Sequence, residues 1–155
     1  MPRQIDPESF GFLVTDLARM LRAEMDRRIT QSGMGLTPGE VRILAQAARA
    51  GQVRQSVLAE RIGVEAMTVS SYLDRLEARG LIARLPDPTD RRAKLVELTD
   101  AADAVLDQVK TFADEARREA SRTIAPDDWA AMLRVLKTVR CNLSDLRIEA
   151  RSSAA

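Results

Sequence analysis

Two short apolar runs, Leu81-Ile82-Ala83-Arg84-Leu85 and Leu95-Val96-Glu97-Leu98, bracket the charged segment Asp87-Pro88-Thr89-Asp90-Arg91-Arg92-Ala93-Lys94. No other feature constrains the fold as much. In the second run Val96 and Leu98 fall on one face and Glu97 on the other, the period-2 pattern of a strand with one side buried. Pro86, Pro88 and two aspartates punctuate the segment between them, so the pair reads as a hairpin with a long basic tip. A tip carrying Arg91, Arg92 and Lys94 buries nothing and costs conformational entropy to order. It points to contact with something negative, with a merely solvated turn as the alternative.

The rest of the chain reads as helix. A length of 155 residues suits one domain or a domain with helical extensions, and 45% apolar with 30% charged residues supports a real core. Only 3% of residues are aromatic, which suits helices packed with Leu, Val, Met and Ala. The net charge of +1, from 24 basic and 23 acidic residues, carries no message about nucleic acid, so any such case rests on local clustering. The chain has no His, hence no usual general base, zinc ligand or physiological pH switch. The single Cys141 forms no internal disulfide, in keeping with a reducing compartment. No basic segment leads an apolar run at the N-terminus and no apolar stretch reaches membrane-span length; the expectation is a soluble intracellular protein.

Leu36-Thr37-Pro38-Gly39-Glu40 opens a helix: Thr37 caps, Pro38 suits the first helical position, and Glu40, three residues on, completes a capping box. Val41, Leu44, Ala45 and Ala48 follow at helical spacing until Gly51. A second short helix starts near Ser56, with Val57, Leu58, Ala59 and Ile62 apolar and Gly63 at its end. A third runs from about Ala66 to Arg79, with Val69, Leu73 and Leu76 on one face and Met67, Ser70, Ser71, Asp74 and Arg75 opposite. Two short helices joined by a tight Gly-containing turn, the second with small hydroxyls outward, follow the helix-turn-helix plan. Ser and Thr are short enough to let a helix lie deep in a major groove. An ordinary helical hairpin with a solvated polar face is the alternative, but the basic hairpin that follows turns the pattern into a winged helix. A wing beside a recognition helix lands on flanking backbone or minor groove, where Arg meets an enhanced negative potential.

These residues resemble the MarR family of bacterial transcription regulators. Gln55-Ser56-Val57-Leu58-Ala59-Glu60-Arg61-Ile62-Gly63-Val64 is similar to its second helix and turn. Thr68-Val69-Ser70 and Leu73 through Ile82 resemble its recognition helix and wing entry, and Asp87 through Lys94, continuing to Leu98-Thr99, its wing. The motifs span roughly residues 36–100; the outer helices agree in length and pattern. The resemblance implies a cytoplasmic homodimer, nucleoid-associated when bound, that binds a pseudo-palindromic operator in double-stranded DNA, usually as a repressor. Each recognition helix would enter a major groove and each wing a flanking minor groove. Thr68, Ser70, Ser71 and Arg75 are then the DNA-contact candidates on the helix, with Gln55 and Ser56 on phosphate. In the family pattern Asp90 would pair with Arg92 to brace the wing, leaving Arg91 or Arg92 to reach into the groove, with Lys94 beside them. Three positions depart from the family: Arg54 stands where relatives often have a capping Thr and adds a phosphate contact, Met67 where the residue is often small or Pro, and Ser71 where it is often Arg.

The outer segments read as a dimer module, giving a mainly α chain with a small β-hairpin wing. The expected division is an N-terminal dimerisation helix in 1–35, a DNA-binding winged helix-turn-helix in 36–99 and C-terminal dimerisation helices in 100–155. From about Glu8 to Ile29, Leu13, Val14, Leu17, Leu21 and Met25 form a stripe. A second long helix is expected from Thr99, with Val105, Val109, Phe112, Ala116 and Ala120 as its stripe and Asp100 and Asp103 in its first turn. The last follows Pro126, with Asp127 and Asp128 at its start. In it Trp129, Leu136 and Leu143 recur every seven residues, as do Met132, Val139 and Leu146, a narrow seam of the coiled-coil kind. A partner subunit is the economical cover for these stripes, the alternative being a bundle within one chain.

Cys141 lies late in the last helix, whereas the peroxide sensors of this family keep their cysteine near the first, so a plain helix cysteine is the reading. Trp129 and Phe112 read as core aromatics. Arg19, Arg22 and Arg49 lie in the regions where the family holds small aromatic or anionic effectors, though solvated helix faces explain them as well; the effector pocket is unknown. With no His, no glycine-rich phosphate loop and no paired carboxylates in a cleft, no enzyme is expected, and no cofactor or metal. The competing function is a winged helix that docks an acidic protein rather than DNA.

Overall fold

Thr37 begins the helix that organises the fold. Its hydroxyl accepts the Glu40 N–H at 3.3 Å while the Glu40 carboxylate accepts the Thr37 N–H at 2.7 Å, closing the capping box read from the sequence. In the computed structural model, which describes residues 5–152, the helices are α1 (Phe10–Gln31), α2 (Pro38–Ala50), α3 (Gln55–Ile62), α4 (Ala66–Ala78), α5 (Asp103–Ser121) and α6 (Pro126–Ser152). The strands are β1 (Val53–Arg54), β2 (Ile82–Pro86) and β3 (Lys94–Leu98). The chain divides after Ala116 into two units.

The first unit holds the core. Ile43, Leu44, Leu58, Val69, Leu73, Leu76 and Val96 are its largest fully buried side chains, drawn from α2, α3, α4 and β3. On α2 the buried face is rotated from the expected stripe: Ala45 and Ala48 are exposed, and Ile43 and Ala47 are inside. The larger Ile43 gains more from burial than either alanine, so the helix turns that side inward. Gly63, left-handed at φ 67°, ends α3 as its C-cap. Gly39 is required for space rather than conformation, because a Cβ there would overlap the ring of Tyr72 on α4.

The hairpin forms as expected, one residue longer at each inner end, with Ile82 opposite Leu98, Arg84 opposite Val96 and Pro86 opposite Lys94. Nothing in the local pattern announces β1, which pairs Val53 with Val96 and Arg54 with Leu95 and so makes β3 the central strand. Two residues are too short to display a period, and only the partner strand reveals them. After β3 the expected helix start at Thr99 is displaced. The Thr99 hydroxyl donates to the Gly80 carbonyl at 2.5 Å, a 3₁₀ turn occupies Asp100–Ala102, and α5 begins at Asp103. Of the α5 stripe, Val105, Val109 and Phe112 pack partly buried against the core and Ala116 is buried, whereas Ala120 is exposed. Arg28 on α1 bonds Glu115 at 2.5 Å and Asp26 bonds Arg42 on α2 at 2.7 Å, tying α1 to this unit.

In the second unit α6 carries Asp127 and Asp128 in its first turn, as expected for the helix dipole. Leu136, Leu143 and Leu146 of its seam are exposed. Cys141 is an exposed free thiol. Among the described residues no helix is long and apolar enough to cross a membrane.

Candidate nucleic-acid interface

The candidate interface is built on α4. Val69, Leu73 and Leu76 are fully buried and fix the helix about its axis, which sends Met67, Ser71, Asp74 and Arg75 outward, with Thr68 and Ser70 half-buried at the edges. Arg84 on β2 reaches back to Glu77 at 2.5 Å and to Asp74 at 2.8 Å, so the wing's first strand is clamped to the C-terminal half of α4. Bonding to Arg84 draws the Glu77 carboxyl below its ordinary range and raises Arg84 in turn.

Arg75 is not simply a solvated helix residue. Its Nε donates to the nearly buried Glu40 at 2.5 Å, one of its terminal nitrogens donates to Ser71 Oγ at 3.0 Å, and its guanidinium lies 5.3 Å from the centre of the Tyr72 ring. Burial pushes the Glu40 carboxyl up, but the bonds from Arg75 and Thr37 outweigh it and hold the group charged. One carboxylate thus caps α2 and orients α4. The capping box was legible in the sequence, whereas its second partner, 35 residues away, was not.

The wing is braced differently from the family expectation. Asp90 accepts the backbone N–H of Arg92 at 3.0 Å, a local turn bond rather than a pairing of side chains. The brace is Asp87, only 5% exposed. One of its oxygens accepts the Thr89 N–H at 2.8 Å and the Thr89 hydroxyl at 2.7 Å, and the other accepts Arg54 Nε at 2.6 Å. Arg54 also donates to Thr89 Oγ1 at 2.9 Å. The Thr89 bonds, with Arg54 behind them, hold the Asp87 carboxyl down at about 2. Arg54, at the end of β1 and the start of α3, therefore fastens the wing's base to the helix-turn-helix. Asp87 looked like turn punctuation in the sequence, because the cation that gives it a role lies 33 residues earlier.

Beyond the base braced by Asp87, Arg91, Arg92 and Lys94 are all exposed, and no described carboxylate forms an ion pair with any of the three. Arg54, Gln55, Ser56, Ala66, Asp90, Arg92, Ala93 and Lys94 line one open groove of about 370 Å³ between the starts of α3 and α4 and the wing. Six of the eleven residues singled out in the sequence meet there. Thr68, Ser70, Ser71 and Arg75 continue along α4, and Arg91 stands on the wing outside the groove. Neither Arg54 at the start of α3 nor Glu65 at the start of α4 makes a side-chain capping bond, so the first-turn N–H groups of both helices lack a side-chain cap.

A MarR-family sequence profile matches residues 36–94, the stretch from the α2 cap to the end of the wing tip. The solved structure of transcriptional regulator PA3341 is 33% identical, covering 88% of this chain and 99% of its own, with a TM-score of 0.71. The chain belongs to the MarR family. A MarR-family regulator from Rhodococcus sp. RHA1 is 25% identical, covering 88% of this chain and 96% of its own, with a TM-score of 0.71. Wild-type apo MarR from E. coli, 23% identical over 88% of this chain and 98% of its own, shares the fold with a TM-score of 0.73. As a MarR-family winged-helix protein the chain is a DNA-binding transcription regulator.

Proposed function

We propose that the protein is a cytoplasmic homodimeric repressor that binds a pseudo-palindromic operator, α4 of each subunit entering a major groove and each wing a flanking minor groove. One observation carries this reading: the wing cations and the uncapped starts of α3 and α4 converge on one groove alongside the hydroxyl face of α4. In it Gln55 and Ser56, with the α3 N–H groups, hold phosphate. Thr68, Ser70 and Ser71 face the bases, Arg91 and Arg92 supply the minor-groove cation, and Lys94 adds backbone contact. Arg54, Asp90 and Arg75 act mainly by holding these groups in place, Arg75 through its bonds to Glu40 and Ser71.

Residues 36–99 serve as the reading domain, and the helices in 1–35 and 100–155 as the dimerisation regions. The exposed apolar side chains of α1 and α6 support that division. Response to a small aromatic or anionic effector rests on the family resemblance alone; of the cations considered for it, Arg19 is already paired with Asp16 at 3.2 Å.

The test is a salt titration on duplex DNA containing the gene's own upstream region. Log affinity should fall linearly with log salt, by about 0.9 for each phosphate neutralised, with a slope that reports several phosphates per dimer. A protein that binds no duplex at low salt is not a DNA-binding repressor; capture of an acidic protein through the wing would then be the function.

A further inference from the structure

Met67 plays no part in the fold described above, nor in the contacts proposed for the groove. It is the second residue of α4 and, at 83% exposure, the most exposed of the large apolar side chains among the described residues. It is absent from the core cluster, and its neighbour Ala66 lines the groove. We propose that Met67 reads the C5-methyl group of a pyrimidine in the major groove and so determines one base position in each operator half-site. The proposal rests on the reading of α4 as the recognition helix and deepens it.

Position comes first. The N-terminal residues of a recognition helix are the ones that reach base edges. Residues 67, 70 and 71 share a face by the i, i+3, i+4 rule, so Met67 stands in line with the two serines assigned to that edge.

Chemistry selects the target. On the major-groove edge the base pairs present donors and acceptors, the small C5–H of cytosine, and one protruding apolar group, the thymine methyl, which 5-methylcytosine shares. A thioether offers no donor and only a weak acceptor, while its flexible chain follows a small apolar target closely. Facing a donor or acceptor instead, Met67 would strip water from a polar group and return no bond, and facing a bare C5–H it would find less to cover.

The surroundings argue against a protein partner. Docking patches are contiguous apolar areas of several hundred Å², whereas the outward neighbours of Met67 along α4 are Ser70, Ser71 and Asp74. A lone apolar side chain amid hydroxyls fits a lone methyl group.

The full-length protein would be used to enrich half-sites from a random duplex library. In the enriched duplex each dT is then replaced singly by deoxyuridine, which lacks the methyl, and each dC by 5-methyl-deoxycytidine. Affinities are measured for the wild type and for Met67→Ala, whose helix content should match the wild type. At one position per half-site the loss of the methyl should weaken wild-type binding about fourfold, the effect of one buried methylene-sized group, and leave Met67→Ala unaffected. A gain confined to 5-methyl-deoxycytidine, present in the wild type and absent in Met67→Ala, assigns the same contact to the methylated base. Equal responses of the two proteins at every position, or none in either, overturn the assignment while DNA binding stands. Enrichment of no duplex overturns both readings.

Discussion

Asp87 and the pair Arg91 and Arg92 sit in the same loop and do opposite work. Asp87 is buried at the wing's base with its carboxyl held at about 2, well below the ordinary 3.8. A depressed carboxyl stabilises the fold above its unfolded value and ceases to do so as the folded group takes up a proton. Its contribution is therefore complete above about pH 4 and is lost as pH falls through 2. Asp87→Asn keeps the shape but removes the charge facing Arg54. Its urea midpoint should lie below that of the wild type at about pH 7, and the gap should close between about pH 4 and pH 2. A gap that persists at the acid end would assign the effect to shape rather than charge. Arg91 and Arg92 form no ion pair with any described carboxylate, so the double change Arg91→Ala with Arg92→Ala should leave stability within about 0.5 kcal/mol. It should nevertheless weaken operator binding measurably and flatten the salt slope by about 0.9 for each phosphate no longer neutralised. Unchanged affinity would show that the wing does not touch DNA.

At the scale of the element, α4 is held by a short apolar face, so its orientation depends on few side chains. Leu73 is fully buried between flanking Val69 and Leu76, and Leu73→Ala should cost about 2–5 kcal/mol in urea unfolding. That face was legible in the sequence because three residues at helical spacing declare a helix and its inner side at once. The capping box at Thr37 and Glu40 and the hairpin strands were legible for the same reason, each being written within a few residues. What escaped is non-local. β1 has too few residues to show a pattern, and the second partner of Glu40 lies on another helix. The Asp87 brace draws on Arg54, which by position alone looked like a phosphate contact. The displaced start of α5 has the same origin, since the Thr99 hydroxyl that reads as a cap is taken by Gly80. The candidate site was thus readable as a set of residues, while the division between those that reach out and those that hold them in place required the fold.

For the whole molecule the question is what covers the outer helices. Leu13, Leu17 and Leu21 on α1, and Leu136, Leu143 and Leu146 on α6, are all exposed, and repeated apolar stripes of this kind carry a standing cost in water. The heptad spacing on α6 suits a second helix laid along it, and a two-fold axis would set two reading heads against the two halves of a palindrome. Leu143→Glu with Leu146→Glu puts two carboxylates into that seam without touching the core of the first unit, which contains neither residue. If the outer helices pair two subunits as proposed, sedimentation should show a dimer for the wild type and a monomer for the variant, with the helix content of the first unit retained. Operator affinity should fall by a factor of about 10² to 10⁴, because the second half-site is no longer presented at high effective concentration. A variant that remains dimeric would move the interface off this end of α6. A monomer that keeps full affinity would mean that one winged helix reads the operator alone, and the two-fold reading of the molecule would have to be abandoned.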